Sequence, residues 1–413
     1  MSLSELVAFA RTYSPYYAWH YAGLPARITS VEQLPMLDHT AFWNSDRVVG
    51  NQLLTGPQID GIVIKTGGTT STPRISCYSD AEWRTMCATF GRGLVAAGLC
   101  AGDRVANLFY GGELYSSFIF TLNTLQVADL PTVQLPIVGN AAPESAVRTI
   151  LDCAATVVAG PPTTLCRLAR YVLDTHGPIR GIRVILVSGE ACHVDQHILL
   201  NGAFPEAEVR SLGYASVDAG ILAAPVEGTD IRLHRVFTDS KLVEILDPVT
   251  YVPIEEPGVP GRVVVTDLVR RLMPILRYPV GDVAEWEDFD SRTLRLRGRS
   301  VEAARFGPVS LYLHDLRGIV STVDVAAEIE GLQVMLCRHD GKDQLVLRLA
   351  GVVEAPELFA ELVVERILDA QPRIADAVED GVVHPITVQW TEHAELCNPR
   401  TGKLVRLRGE RAA

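Results

Sequence analysis

From about residue 60 the chain alternates short apolar, β-branched runs with longer stretches whose apolar positions recur every three or four residues. That alternation predicts an α/β fold, with strands of one sheet separated by covering helices. Residues 59–66 (IDGIVIKT) read as a strand running into a Gly/Thr/Ser loop, and residues 80–99 as the helix that follows. Residues 103–110 read as the next strand and 116–128 as the next helix. The same rhythm continues through LPTVQLP, ESAVRTILDCA, TVVAGPPTTLCRLARYVLDT and IRVILVSGE, ending at residue 190. Runs as continuously apolar as RVILVS are expected where helices cover both faces of a sheet.

After about residue 220 the pattern changes. Residues 236–246 and 261–267 alternate more and are divided by turn residues (DPVTYVP, EEPGVPG), which predicts an antiparallel, β-rich segment packed beside the main sheet. A polar stretch, 287–300, is expected to separate a large N-terminal domain, 1–298, from a small mobile C-terminal α+β domain, 299–413. That tail is expected to carry two strands (GLQVMLCRH, QLVLRLAG), a helix (APELFAELVVERIL) and a last strand (VHPITVQW). No internal repeat is visible.

Length and composition narrow the picture. At 413 residues, 48% hydrophobic and 21% charged, the chain is globular and long enough for two cores. With 37 Lys+Arg against 49 Asp+Glu the net charge is −12, which argues against a nucleic-acid binder but not against a local site for a small anion. No apolar run approaches the roughly 18 residues of a membrane span, and no export signal is seen, so a cytoplasmic protein with no membrane partner is expected. The eight cysteines never form C-x-x-C, so buried reduced thiols are expected rather than a zinc site or a disulfide framework. A homodimer is left open.

The most informative stretch is Thr66-Gly67-Gly68-Thr69-Thr70-Ser71-Thr72-Pro73-Arg74. Glycines let backbone N–H groups approach phosphate oxygens, the hydroxyls add donors, and Arg74 adds a cation. The spacing matches neither G-x-x-x-x-G-K-[ST] nor G-x-G-x-x-G. Such a loop suits a nucleotide polyphosphate, against the alternative of a flexible turn with no ligand.

This loop resembles the phosphate-binding motif [ST]-[SG]-G-T-[TS]-G-x-P-[KR] of the adenylate-forming superfamily, the acyl-CoA synthetases and adenylation domains. Within it, residues 14–46 resemble the opening of phenylacetate-CoA ligases. Further motifs follow in the same order. Ser188-Gly189-Glu190-Ala191 is similar to the segment that lines the adenine pocket, and Gly213 followed by Tyr214-Ala215-Ser216-Val217-Asp218-Ala219-Gly220 resembles Y-G-x-T-E-x-G. Residues 261–268 are similar to G-E-L-V-V-T-x-L. Arg277-Tyr278-Pro279-Val280-Gly281-Asp282 resembles R-Y-x-T-G-D, Gly298-Arg299-Ser300 the hinge motif, and Arg400-Thr401-Gly402-Lys403 the P-x-T-G-K element.

The resemblance implies a large α/β body with a β-rich segment and a small C-terminal α+β domain. It implies ATP-dependent activation of a carboxylic acid to an acyl-adenylate with release of pyrophosphate, then thioester formation with CoA. Lys403 would bridge the carboxylate and the α-phosphate. Thr66, Gly67, Gly68, Thr69, Thr70, Ser71 and Arg74 would hold phosphate, while Gly189, Glu190, Gly213, Tyr214 and Ala215 would surround the adenine. Asp282 would accept from the ribose hydroxyls, Arg277 would meet phosphate, and Asp218 would hold Mg²⁺, a hard cation that suits carboxylate and phosphate oxygens. The acid would lie against Tyr110, Gly111, Gly112, Leu135, Pro136, Ile137 and Gly213, an apolar pocket with an aromatic wall that suits an aryl acid.

Several positions depart from the family pattern. Ser71 stands where the family has Gly, Ala215 replaces Gly, Val217 replaces Thr, Asp218 is shorter than Glu, and Val301 occupies the acidic hinge position. Residues 304–316 resemble the CoA-facing element only loosely. Transfer to a carrier-protein thiol or an amine therefore stays open, as does a role in specialised metabolism, or a degenerate relative that binds nucleotide without catalysis. Read from residue type alone, each has a plainer alternative: Asp282 a turn residue, Tyr214 a core aromatic, Glu190 a surface cap, and Lys403 one of a basic cluster with Arg400, Arg406 and Arg408.

Overall fold

The computed structural model describes residues 1–45, 51–65, 74–228, 230–299, 303–306, 309–325, 328–340, 342–397, 404–405 and 407–410. The chain divides into two compact units. One holds Met1–Pro161, Gly181–Gly189 and Glu206–Arg297; the other holds Pro162–Arg180, Glu190–Pro205 and Gly298–Ala413.

The first unit is built on the alternation read from sequence. Five parallel strands lie in the order Val133–Pro136, Arg104–Asn107, Val157–Gly160, Val184–Val187 and Glu208–Ser211. Every residue of Val157–Gly160 and Val184–Val187 is buried, as their unbroken apolar runs require. The helix expected over 80–99 spans Asp80–Gly91, where Gly91 and Gly93 weaken its continuation. Its start is strongly specified. Ser79 and Glu82 form a capping box, and Glu82 Oε1 also accepts from the N–H groups of Arg271 and Leu272 at 2.5 and 2.7 Å.

The β-rich segment is a seven-stranded sheet, ordered Lys241–Leu246, Gly261–Asp267, Tyr278–Asp288, Thr293–Arg299, Leu233–Val236, Gly220–Pro225 and Tyr214–Ser216. The pairing of its outer strands is antiparallel, as expected. The stretch 287–300 is not merely a polar separator, because Thr293–Arg299 is a strand of this sheet. Its polar look comes from Arg295 and Arg297, whose guanidiniums pair with Glu285, Glu287 and Asp230, while Leu294 on the opposite phase is fully buried. The N-terminal helices Leu3–Tyr13 and Pro15–His20 share a core with this sheet, through Leu6, Ala10, Tyr17, Tyr278 and Trp286 among others.

The second unit has a four-stranded sheet in the order Thr387–Trp390, Lys342–Gly351, Ile329–His339 and Leu407–Glu410. The central pair is antiparallel and both outer strands join in parallel. Leu407–Glu410 follows the strand read as the last, and the helix Leu313–Val323 falls where no element was expected. Val363 and Ile367 of helix Pro356–Ala370 are buried against Leu332, Leu345 and Leu347. The expectation of buried thiols holds for Cys77 and Cys87; Cys100 is exposed and the other five are intermediate. Among the described residues no helix is long and apolar enough to cross a membrane.

Candidate active site

Two short segments of the first unit, 214–218 and 278–282, carry Tyr214, Asp218 and Asp282, and they are cross-linked twice. Tyr214 donates its phenol to Asp282 Oδ2 at 2.6 Å. Four residues along each segment, Tyr278 donates to Asp218 Oδ2 at 2.9 Å. Sequence reasoning placed Tyr214, Asp218 and Asp282 here; Tyr278, inside the same motif, was not singled out. Burial, with the Asp218 carboxylate beside it, holds the Tyr278 phenol well above its usual range, so it serves as a hydrogen-bond donor.

Arg74, at the exit of the Gly/Thr loop, reaches the same carboxylate, with Nη1 2.6 Å from Asp218 Oδ2. Asp218 is buried, and its Oδ1 has no hydrogen-bond partner among the described residues. One buried carboxylate with an open oxygen suits a magnesium ion, which keeps several waters and binds mainly through substrate phosphates. Loop residues Thr66, Gly67, Gly68, Thr69, Thr70 and Ser71, and Lys403, lie outside the described residues. The flanks of the loop are visible: Ile62–Lys65 pairs antiparallel with Ile75–Tyr78, so the hairpin returns Arg74 to the base of the loop.

A buried chain sets the turn before Tyr214. The His234 ring donates from Nδ1 to the Arg232 carbonyl at 2.9 Å, and its Nε2 accepts from the Ser211 hydroxyl, also at 2.9 Å. Ser211 Oγ in turn accepts from the Gly213 N–H at 3.1 Å. Gly213 needs to be glycine. Its φ is +137°, and a Cβ there would lie 2.6 Å from the Phe90 ring. The Ser188 hydroxyl donates to the Gly213 carbonyl at 3.4 Å, which brings the 188–189 segment, with Gly189, to the 213–215 segment, with Ala215. Full burial holds His234 neutral, its pKa lowered to about 4.

Two expected residues have other partners. Glu190 belongs to the second unit, where its carboxylate accepts from the Thr163 hydroxyl at 2.5 Å and from the Thr163 N–H at 3.4 Å. That places it at the positive end of helix Pro162–Thr175, the capping role its residue type allows. Arg277, expected at phosphate, is buried, with its guanidinium on Glu244 at 3.2 Å and on the carbonyl of Leu34 at 2.5 Å. It ties the N-terminal lead to the sheet; the cation beside Asp218 is Arg74.

The segments expected to face the acid are neighbours at the C-terminal ends of adjacent parallel strands. Leu135 and Pro136 pair in register with Ala106 and Asn107, and the Ile137 N–H donates to the Asn107 carbonyl at 3.1 Å. Tyr110 continues from that strand, its carbonyl accepting from the Phe118 N–H and the Ser117 hydroxyl, both at 3.1 Å. Gly111 and Gly112 lead into residues 113–115, where the Leu114 carbonyl accepts from the Lys65 N–H at 3.0 Å. The entry to the Gly/Thr loop therefore lies against the candidate acid-binding turn, at the strand ends where open α/β sheets bind ligands.

No protein-family model matches the chain. Over 98% of its length it is similar to the phenylacetate-coenzyme A ligase of Thermus thermophilus, at 24% identity and covering 94% of that protein. Its fold matches the crystal structure of 2-hydroxyisobutyryl-CoA ligase in the postadenylation state with 2-HIB-AMP, at a TM-score of 0.79 and 17% identity over 98% of this chain and 88% of that one. The same ligase in complex with 2-HIB-AMP and CoA, in its thioesterification state, matches at a TM-score of 0.64 with 18% identity, again over 98% and 88%. The architecture is thus that of the adenylate-forming enzymes, as the motifs implied.

Proposed function

We propose that this chain, with its adenylate-forming fold and its full-length similarity to a phenylacetate-CoA ligase, is an AMP-forming acid–thiol ligase. In this reading a carboxylate, aromatic by preference, attacks the α-phosphorus of ATP, pyrophosphate leaves, and CoA then takes the acyl group from the adenylate. The observation that carries it is the double cross-link of 214–218 to 278–282. One end, Tyr214 with Asp282, offers acceptors for a ribose diol beside an aromatic face. The other end, Asp218 with Tyr278 and Arg74, offers a carboxylate and a cation where polyphosphate would lie. One frame would thus meet both ends of a nucleotide.

A bound magnesium ion would draw charge from the phosphates, and the open Oδ1 of Asp218 is the atom that would hold it. Residues 66–71 would supply the N–H and hydroxyl donors that stabilise the pyrophosphate as it leaves. Lys403 would neutralise the two anions as they meet, so its removal should affect the first step above all. The similarity to a phenylacetate ligase supports an aryl acid. The hinge near residue 298 would let the C-terminal domain, 299–413, serve the two half-reactions in turn.

ATP–pyrophosphate exchange tests the reading. Exchange dependent on one of a panel of acids, phenylacetate and benzoate against short aliphatic acids, and lost in Lys403→Ala, supports it. Exchange absent with every acid, or unchanged in Lys403→Ala, contradicts it.

A further inference from the structure

The helix His39–Asn44 lies in the N-terminal lead, outside the nucleotide-binding motifs, yet two of its side chains reach the Arg74–Asp218 pair. Trp43 donates its indole Nε1–H to the Tyr278 phenol oxygen at 2.9 Å. Its ring also lies under the Arg74 guanidinium, 5.7 Å from carbon to centroid, and edge-on to Tyr278. His39 Nε2 is 2.5 Å from Arg74 Nη1, and since a guanidinium only donates, this nitrogen must be the accepting one. The His39 ring stands 5.7 Å from that of Tyr278. Arg74 is thus held by a carboxylate, an imidazole and an indole, and Tyr278 by an indole N–H and the same carboxylate.

We propose that His39 and Trp43 are positioning residues for the polyphosphate end of the nucleotide: they fix Arg74 and Tyr278 against Asp218 before ATP binds. The inference rests on the nucleotide reading given above. A long arginine side chain loses much rotamer freedom when it engages phosphate, and a site that already holds it avoids that cost on binding. Asp218 would otherwise be a buried anion facing an incoming polyanion. Tyr278 and Arg74 offset its charge through Oδ2, while Oδ1 has no hydrogen-bond partner among the described residues. These contacts of His39 and Trp43 all lie at the Asp218 end of the frame, so the effect should be confined to one end of the ligand.

The test compares calorimetric binding of ATP, inorganic pyrophosphate and AMP, with magnesium present, to wild type, His39→Ala, Trp43→Phe, Tyr278→Phe and Trp43→Phe/Tyr278→Phe. His39 is exposed, so its alanine variant should fold, and matched melting temperatures check this. The expected result is weakening of ATP and pyrophosphate by about three- to tenfold in His39→Ala and Trp43→Phe, with AMP unchanged. Because the Trp43 N–H acts through the Tyr278 hydroxyl, Trp43→Phe should have little further effect in the Tyr278→Phe background. ATP and pyrophosphate binding as in wild type, or AMP weakened to the same degree as ATP, overturns the inference while the nucleotide reading stands. A wild-type protein that binds none of the three overturns both.

Discussion

Asp282 and Tyr214 form a pair whose members contribute unequally. The carboxylate is the group a ribose diol would use, and the phenol mainly fixes its direction at 2.6 Å. Asp282→Ala should weaken AMP binding by about ten- to a hundredfold, the loss typical of hydrogen bonds to a charged group, and Tyr214→Phe by less than about tenfold. Calorimetry with AMP measures both; equal losses would mean that the phenol itself contacts the ligand. His234 gives a prediction of the opposite kind, in stability rather than affinity. Folded, its pKa lies near 4, against an ordinary value of 6.5. Below pH 6.5 the unfolded chain takes up a proton that the folded chain refuses until about pH 4. The stability due to neutral His234 is therefore complete above 6.5 and declines as pH falls from 6.5 to 4, by up to about 3 kcal/mol. Urea unfolding at pH 7.5 and pH 5 should show this loss in wild type, and a smaller one in His234→Leu.

Among the elements, the pieces that local pattern specifies were legible and the pieces that distance specifies were not. The parallel strands announced themselves as unbroken apolar runs, and Ser79 with Glu82 marks a helix start that any reader of capping boxes would find. The strand inside residues 287–300 is missed because a strand whose outward positions are arginines looks polar until its alternate leucines are seen as one face. The Trp43–Tyr278 hydrogen bond spans 235 residues, and nothing in the local pattern of either segment hints at it. The flanks of the segment bearing Lys403 illustrate a third case. Cys397 bridges Leu404, and the Val405 N–H donates to the Leu396 carbonyl at 2.7 Å, so the two flanks pair as a defined stem. That stem packs on Gly331, where a Cβ would lie 2.9 Å from Leu396 and 3.2 Å from Leu404. Gly331→Val should destabilise the protein by about 1–3 kcal/mol through overpacking. If the stem aims Lys403, it should also cut ATP–pyrophosphate exchange by more than about tenfold. Thioester formation from a supplied acyl-adenylate should fall less. Equal losses in both steps would mean that the stem does not act through Lys403.

For the whole molecule, the resemblance carried by scattered motifs extends to the entire architecture, although at 17–18% identity a fold match speaks of shape and not of substrate. Phe306, Leu316, Leu332, Leu347, Val363 and Ile386, all from the C-terminal stretch, pack into one core of the second compact unit. A fragment of residues 303–413 should unfold cooperatively on heating, followed by circular dichroism; a featureless melt would show that it depends on the helices Pro162–Thr175 and Val194–Ala203, which belong to the same compact unit. The central claim, that a carboxylate is activated by adenylation, is tested most directly by the fate of its oxygen. With ¹⁸O-labelled phenylacetate, or whichever acid drives exchange, ATP and CoA, the account predicts AMP carrying one labelled oxygen after thioester formation. Label in inorganic phosphate, with ADP as the nucleotide product, would contradict it.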